Sequence, residues 1–558
     1  MSLGPEYIHG LAVALGKILP CGVSRVEGGE SWIALRISSS DKQWLLLSWG
    51  NGSAGCCLSD EQSIEFLKKN ARARAPLVEA LKSRLAKARV LAVRQINQDR
   101  VLEFDFSRLV AAGFEVAYSL VLEATEPTGN LILLDSERKI EELARHASPD
   151  VNHYRTLLPA HTYVSPPNFD GLILSEVQEI DFESVSKIKG IGRPLARLIQ
   201  SHWDERTPTE WLRALKGLYI DDETTCRCQR TEKGYLTRFP VVLGGVSQIG
   251  GDALTGAREG VLHPLLKAAR AHILRDLDAR ATRAVKAKER RIDGLLKQLD
   301  NHKEAETFRM KGQLLLANIA NDAIPCRAER VSLKDWTSDL NIDITLDPRL
   351  SISKNADRYF KKYKKAHCDP EKIEQEISSL RSAVDEIREQ RDLLDSIENL
   401  KTFDEAACDV EEWLTGEVEK KDMRKDTKKA AKKASLPPHL RFDVGEYVIL
   451  VGLSARGNRY VTFKQASGDD IWLHAHEVSG AHVIIKGARG RENLDEKTLR
   501  FAAVLAAAHS ANGGASSTQV DYTERRHVRA VPGTLSLVLY SNPGTIRVTP
   551  SDTDNALT

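Results

Sequence analysis

The chain has 558 residues, a formal net charge of +2 at pH 7 and an apolar share of 42%. This length is too great for one hydrophobic core, so we expect two to four folded units. The near-zero net charge gives no overall basic field, so any basic surface for nucleic acid must be local. The eight cysteines form no C-x-x-C pair, and the sequence has neither a secretory signal nor an apolar run long enough for a bilayer. We therefore expect a reduced, cytoplasmic protein without a membrane segment.

Apolar runs in the first part of the chain predict the strands of an α+β domain. They lie at residues 32–38, 44–49, 101–106, 117–124 and 130–135. Apolar residues spaced by three and four predict helix over residues 60–89. The proline- and glycine-containing stretch at residues 162–171 is typical of a linker, so we place this domain at residues 1–172.

A helix-hairpin-helix domain is predicted over residues 173–260. Gly190 and Gly192 lie in a turn between two helical patterns, and Pro194 follows at a helix start. A turn of this kind offers backbone N–H groups at a helix N-terminus to a phosphate. An ordinary tight turn between helices has the same glycine pattern, so both alternatives remain open.

Residues 261–435 are predicted to form helical arms with a small module between them. Apolar residues recur there at heptad spacing, at Ile373, Ile377, Leu380, Val384, Ile387 and Leu394. A looser seam passes through Ile292, Leu295 and Leu299. An antiparallel coiled-coil hairpin with a module at its tip is the simplest interpretation, and a parallel dimer is the alternative.

A lysine-rich run at residues 420–434 ends this region. It contains Lys428, Lys429, Lys432 and Lys433. Such a run either is a solvated linker or binds backbone phosphates without sequence preference.

A small α+β RNA-binding domain is predicted over residues 436–550. Strand patterns occur at residues 441–453, 459–466, 470–476, 481–487 and 535–540, and residues 499–510 predict a helix. Aromatic and basic residues of this domain could stack on unpaired bases and contact phosphates: Lys464, Trp472, His474, His482 and Lys486. A buried Trp472 is the structural alternative.

Three histidines raise the question of a metal. His474 and His476 alternate along one predicted strand and His482 follows. Glu477 is the nearby carboxylate, and it should point to the opposite face. We therefore predict no metal site and no cofactor. The chain also lacks nucleophile, Walker and dinucleotide motifs, so it is not expected to be an enzyme.

A polar cluster lies between two predicted strands near residue 100. It consists of Asn97, Gln98, Asp99 and Arg100. Asp99 could orient Arg100, whose guanidinium suits bidentate contact with a phosphate or a guanine edge. A salt bridge within a hairpin turn is the more frequent use of this pair.

Six fragments in a fixed order resemble the NFACT family. They are QINQDRVLEFDF, GNLILLDSERKI, MKGQLLLANI, LDPRLSISKNADRYFKKYKK, VTFKQASGDDIWLHAHEVSGAHVIIKG and NPGTIRVTP. The resemblance implies a glycosylase-like α+β domain with a helix-hairpin-helix, a long antiparallel coiled coil with a tip module, and a C-terminal RNA-binding domain. Some members of the family are labelled fibronectin-binding proteins, which leaves a surface adhesin as an alternative function.

The resemblance implies a factor in ribosome-associated quality control. Such a protein binds the large ribosomal subunit that carries a stalled nascent peptidyl-tRNA, and it acts as a monomer. It recruits alanyl-tRNA so that the nascent chain receives an alanine tail, a mark for degradation, with bonds formed by the ribosomal peptidyl-transferase centre. The family's Asp-Arg motif, implicated in tRNA engagement, falls on Asp99 and Arg100. A general RNA- or tRNA-binding protein without tailing is the alternative.

The chain departs from the family pattern at several turns. Gly4-Pro5 replaces an Asp-Gly pair, and Pro127-Thr128 stands where the family has a basic turn. Residues 453–459 replace an asparagine-rich turn. These departures bear on the identity of the tRNA and on tailing more than on ribosome binding.

Overall fold

The structure is a computed structural model that describes residues 2–38, 43–71, 76–110, 113–150, 152–219, 226–319, 324, 328–335, 340–419 and 436–553. The chain divides into two compact units, Met1–Ile273 and Leu274–Thr558. Within the described residues, no helix has both the length and the apolar character that a membrane span requires. The seven cysteines described there are all free thiols.

A nine-stranded antiparallel sheet forms the larger part of the first unit. The first ten strands of the chain are β1 (Ser2–Leu3), β2 (Cys21–Gly28), β3 (Trp32–Ile37), β4 (Trp44–Ser48), β5 (Gly55–Ser59), β6 (Arg89–Gln95), β7 (Val101–Leu109), β8 (Glu115–Glu123), β9 (Asn130–Leu134) and β10 (Ile140–Leu143). The sheet order is β10-β9-β8-β7-β6-β2-β3-β4-β5. The five strands predicted from apolar runs are therefore confirmed.

Three helices cover this sheet: α1 (Pro5–Gly16), α2 (Glu61–Lys69) and α3 (Pro76–Leu85). The prediction of helix over residues 60–89 is wrong at its end, because β6 begins at Arg89. Lys87 has a left-handed φ of 67°, which ends a helix as glycine commonly does. Leu81 and Leu85 of α3 are fully buried in the core shared with the sheet.

A second, four-stranded sheet completes the first unit. Its new elements are α4 (Arg193–Ser201), α5 (Pro208–Gly217), β11 (Arg227–Thr231), β12 (Tyr235–Phe239), β13 (Val246–Ile249) and α6 (Ala253–Gly260). The order is β1-β12-β11-β13, with β1 parallel to β12, so the first residues of the chain are paired with this later segment. The element before the glycine turn is a short 3-10 helix, Ser184–Lys187, where the sequence predicted a longer helix.

The second unit contains the helical arms. Its helices and tip strands are α7 (Leu262–Ala317), which begins in the first unit, β14 (Arg330–Lys334), β15 (Asn341–Thr345), α8 (Ile352–Ala366), α9 (Pro370–Asp395) and α10 (Leu400–Glu419). Ile373 and Ile377 of α9 pack against Ile292 and Leu295 of α7. The two helices run antiparallel, since ion pairs join α9 residues of rising number to α7 residues of falling number: Glu376–Arg291, Arg388–Glu289 and Arg391–Asp278.

The C-terminal domain is built on a six-stranded sheet. Its elements are β16 (His439–Val444), β17 (Tyr447–Gly452), α11 (Ala455–Tyr460), β18 (Ile471–Ala475), β19 (Val483–Lys486), α12 (Glu496–Ala508), β20 (Thr518–Glu524), β21 (Val528–Ala530), β22 (Val538–Tyr540) and β23 (Gly544–Val548). The sheet order is β16-β17-β19-β18-β20-β23.

The strand predicted at residues 459–466 is wrong. The segment is the end of α11 followed by a π-helical turn, Val461–Gln465. The side chain of Ser454 accepts a hydrogen bond from the Gly457 amide and caps α11. Val461 and Thr462 are consecutive and both buried, which a helical turn allows and a strand with alternating faces does not.

Candidate nucleic-acid interface

The turn between β6 and β7 carries the polar cluster found in the sequence. Asn97 and Gln98 have left-handed φ values of 56° and 52°, the geometry of a two-residue type I′ turn. Glutamine seldom adopts this region, and residues held in unfavourable backbone conformations concentrate at functional sites. The side-chain Nδ2 of Asn97 donates a hydrogen bond to Ser165 Oγ at 3.3 Å, which connects the turn to the segment around Ser165.

Asp99 and Arg100 interact as the sequence suggested. Asp99 Oδ1 accepts the backbone N–H of Arg100 at 2.7 Å and lies 3.9 Å from Arg100 Nε. The Arg100 side chain keeps 30% of its surface exposed. Asp99 therefore orients Arg100 loosely, and the guanidinium remains accessible to a ligand.

The glycine turn before α4 is closely packed on both sides. Gly190 has a φ of 85°, and Tyr219 Oη donates to its carbonyl at 2.8 Å. A Cβ on Gly192 would lie 2.0 Å from Tyr235 Oη. Both positions therefore require glycine, one for its backbone conformation and both for the approach of a tyrosine hydroxyl.

A buried carboxylate behind the glycine turn accepts a hydrogen bond from one of the turn's backbone amides, a group that the sequence analysis offered to a phosphate. Glu6 is fully buried, and its Oε2 accepts the Gly192 N–H at 3.1 Å. Its Oε1 accepts hydrogen bonds from Tyr235 Oη and Thr237 Oγ1, each at 2.9 Å. Burial raises the pKa of Glu6, while these hydrogen bonds act to lower it. The Gly192 amide is therefore already used as a donor, and phosphate contact by the hairpin of Gly190 and Gly192 stays a prediction.

The β6–β7 turn and the glycine turn nevertheless face the same cleft, which encloses about 900 Å³. Its charged lining is mainly cationic, with one carboxylate and four basic side chains: Asp99, Arg100, Lys189, Arg193 and Arg197. We call this feature the cationic cleft. The cluster near residue 100 and the hairpin, which are about 90 residues apart in the sequence, thus form one site.

The sequence analysis did not identify the basic residues of the hairpin as candidate ligand-binding residues. Arg193 and Arg197 are exposed and one turn apart on α4, and Lys189 is half-buried. Within the described part of the chain, none of the three has an ion-pair partner. The signal was present in the letters KGIGRPLAR, where basic residues flank the glycine turn at helical spacing. Unpaired cations at a concave surface suit a phosphate backbone.

The predicted RNA surface of the C-terminal domain is wrong at Trp472 and His482, two of its five residues. Trp472 is fully buried, with its ring centroid 4.9 Å from that of Tyr540. His482 is 2% exposed and its Nδ1 lies 2.8 Å from Thr462 Oγ1. His474 stacks on Trp472 at 5.6 Å between ring centroids. Trp472 is closed to a base, so the alternative of a core tryptophan is confirmed.

The other basic candidates stay as predictions. Lys464 is exposed and Lys486 is half-buried, both on the C-terminal domain. The lysine-rich run at residues 420–434 lies outside the described residues.

Comparison with known proteins gives two matches that together cover most of the chain. Residues 23–204 and 266–431 match the NFACT N-terminal and middle domains, and residues 439–537 match the NFACT protein RNA binding domain. The first match includes the cationic cleft except Ser2, Pro5 and Tyr235. The second covers β16 to β21 of the C-terminal domain.

Relatives with curated names support the same assignment. A protein of Bacillus subtilis named Rqc2 homolog RqcH is 30% identical over 502 residues, which are 83% of each chain. A Streptococcus suis protein of the same name is 27% identical over 85% of this chain and 84% of its own. The solved N-terminal part of a Streptococcus suis fibronectin/fibrinogen-binding protein is 25% identical over 45% of this chain and 96% of its own, with a TM-score of 0.38. The two domain matches show that the chain belongs to the NFACT family.

Proposed function

We propose that this protein is a ribosome-associated quality-control factor that binds tRNA in the cationic cleft of its first unit. In this role it associates as a monomer in the cytoplasm with a large ribosomal subunit that holds a stalled peptidyl-tRNA. The relatives named RqcH and the RNA binding domain support the general role. The cleft supports the assignment of the tRNA site.

The observation that carries the tRNA site is the meeting of two elements at one surface. The strained β6–β7 turn presents Arg100, and the hairpin presents Arg193 and Arg197 toward the same space. Arginine binds phosphate oxygens in bidentate fashion, and several arginines around a cleft fix the course of a backbone. The exposed part of Arg100, positioned by Asp99, suits a base edge or a further phosphate.

Bond formation is assigned to the ribosome. Among the described residues that line the cleft, the charged side chains are four cations and one carboxylate. The protein would recruit alanyl-tRNA, and the peptidyl-transferase centre would add alanine to the stalled chain. A reconstituted reaction with stalled large subunits and alanyl-tRNA tests this step. Alanine added only in the presence of the protein supports tailing, whereas tRNA binding without addition supports a general tRNA-binding protein.

Equilibrium tRNA binding at several salt concentrations tests the cleft itself. In the Arg193→Gln/Arg197→Gln variant, we expect weaker binding and a salt slope that is smaller by about two, since each lost phosphate contact removes about 0.9 of the slope. Arg213→Gln is the matched control, because Arg213 is an exposed arginine on the neighbouring helix α5 and does not line the cleft. An unchanged slope in the double variant would contradict the proposal.

A further inference from the structure

The helix α9 is attached to the C-terminal domain by acidic and amide side chains. Glu386 Oε1 accepts the backbone N–H of Leu535 at 2.7 Å and that of Ser536 at 2.6 Å. Asp392 Oδ2 accepts the hydroxyl of Ser479 at 2.6 Å, and Gln390 accepts the Ala455 amide. These groups all have partners on the C-terminal domain.

Glu389 lies on the same face of α9, but unlike Glu386 and Asp392 it has a buried carboxylate oxygen without a hydrogen bond in the described part of the chain. Its side chain is 8% exposed, yet Oε2 is buried without a hydrogen-bond partner among the described residues. Oε1 lies 3.6 Å from His474 Nε2, which is also buried and without a hydrogen bond. A buried carboxylate oxygen and a buried imidazole nitrogen without partners are costly, and native structures rarely leave such groups alone.

A second imidazole completes the cluster. The ring centroids of His474 and His482 are 5.4 Å apart and the rings are perpendicular. Ligand atoms of Glu389, His474 and His482 all lie within 4.8 Å of one another. The Nδ1 of His482 is held at 2.8 Å by Thr462 Oγ1, which leaves Nε2 as its ligand atom.

We propose that Glu389, His474 and His482 bind a divalent transition-metal ion, with Zn²⁺ as the best fit, and that this ion joins α9 to the C-terminal domain. Two imidazoles and one carboxylate form a ligand set that zinc uses, with water as a fourth ligand. Ligand bonds of about 2.1 Å place tetrahedral ligand atoms about 3.4 Å apart, close to the 3.6 Å between Glu389 and His474. The ligand atom of His482 lies within 4.8 Å of the other two.

The surroundings of the cluster suit a metal. Metal-bound histidines commonly use their second nitrogen for a hydrogen bond that fixes the ring, as Thr462 does for His482. The sequence did not predict the site because the carboxylate comes from α9, 85 residues before His474.

Zinc binding by the full-length chain tests the proposal. After treatment with a chelator, the protein is titrated with Zn²⁺ alone against a competing chelator. We expect one tight site per chain that is weakened about 100-fold or more in Glu389→Gln and His474→Gln, since loss even of a second partner such as Thr462 costs 10- to 100-fold. His476→Gln should keep the tight site, because His476 bonds to Asp521 at 2.7 Å and is not in the cluster.

X-ray absorption of the zinc-loaded, unaltered protein gives a result that does not depend on the folding of a variant. A first shell of nitrogen and oxygen only, with an imidazole signature, agrees with this site. Sulfur in the shell would assign the ion to cysteines and overturn the proposal. So would the absence of tight binding, which would leave Glu389 and His474 as a buried ion pair.

Discussion

At the scale of single residues, the buried Glu6 supports the glycine turn that lines the cationic cleft. Glu6 is fully buried and accepts hydrogen bonds from the Gly192 amide, Tyr235 and Thr237. Glu6→Ala leaves three donors without an acceptor, and each unsatisfied buried donor costs about 1–3 kcal/mol. We expect loss of stability in the first unit and loss of tRNA affinity.

Hydrogen exchange at the glycine turn reports this change directly. In the Glu6→Ala variant the Gly192 amide should exchange faster, because its acceptor is gone. Glu65→Ala is a suitable control, since Glu65 is an exposed glutamate on α2 whose partners are Arg25 and Lys68. Equal protection of Gly192 in the wild type and the Glu6 variant would show that the carboxylate does not hold the turn.

The buried histidines make the stability of the C-terminal domain depend on pH. The folded pKa of His482 is well below its unfolded value of 6.5, and that of His509 is lowered by burial to about 4. The unfolded state therefore binds more protons below pH 6.5, and the free energy of unfolding falls as the pH falls. Each such histidine contributes a slope of about 1.4 kcal/mol per pH unit in that range.

Urea unfolding between pH 7 and pH 5, in the presence of EDTA, checks this dependence. His482→Gln should reduce the loss of stability at acid pH. His476→Gln should increase it, because Asp521 raises the pKa of His476, and a raised pKa gives stability that is present at low pH and lost as the pH rises. Exposure of His476 makes its effect the smaller one. Parallel pH profiles for the two variants would contradict this assignment.

Sequence reasoning at the residue scale succeeded for contacts between neighbours and failed for contacts made by folding. Asp99 and Arg100 are adjacent, so their interaction could be foreseen. The link between Glu6 and Gly192 joins residues 186 apart in the chain, and no local pattern indicates it. Trp472 shares a strand face with His474, as a stacking surface would require, but β18 is covered on both faces, which the local pattern does not show.

At the scale of elements, the packing of α9 can be tested by one substitution. Ile387 is 2% exposed and faces Leu277, Ala281 and Val410, so α7, α9 and α10 share a core there. Ile387→Asp places an unpaired charge in that core and should cost several kcal/mol of stability in the second unit. Arg381→Asp puts the same residue on the exposed face of α9 and should cost little.

Thermal unfolding of both variants gives the measurement. A lower midpoint for Ile387→Asp with an unchanged midpoint for Arg381→Asp agrees with the helical packing. Equal midpoints would show that the seam found in the sequence is not a structural core.

Elements with a regular apolar pattern were predicted correctly, and an element that depends on a helix cap and an irregular turn was not. The apolar runs gave β3, β4, β7, β8 and β9 because buried strands need continuous apolar residues. The heptad seam indicated the residues through which α7 and α9 pack, and the structure decided for the antiparallel pairing over the parallel dimer. The segment at residues 459–466 was mistaken for a strand because its helix depends on the Ser454 cap and a π-helical turn.

At the scale of the whole molecule, the proposed function combines tRNA recognition by the first unit with RNA binding by the C-terminal domain. The cationic cleft gathers four basic side chains at one concave surface, although the net charge of the chain is only +2. Local concentration of charge thus replaces a basic overall composition. The surface of the C-terminal domain around Lys464 and Lys486 keeps its predicted role in contacts with ribosomal RNA.

Cryo-electron microscopy of large ribosomal subunits recovered with this protein tests the central claim most directly. We predict tRNA density in the cationic cleft, with phosphates within contact distance of Arg193 and Arg197 and with Arg100 directed at the same tRNA. Recovery with the Arg193→Gln/Arg197→Gln variant should give subunits without that tRNA. A tRNA bound elsewhere on the protein while the cleft is empty would contradict the assignment of the cleft as the tRNA site.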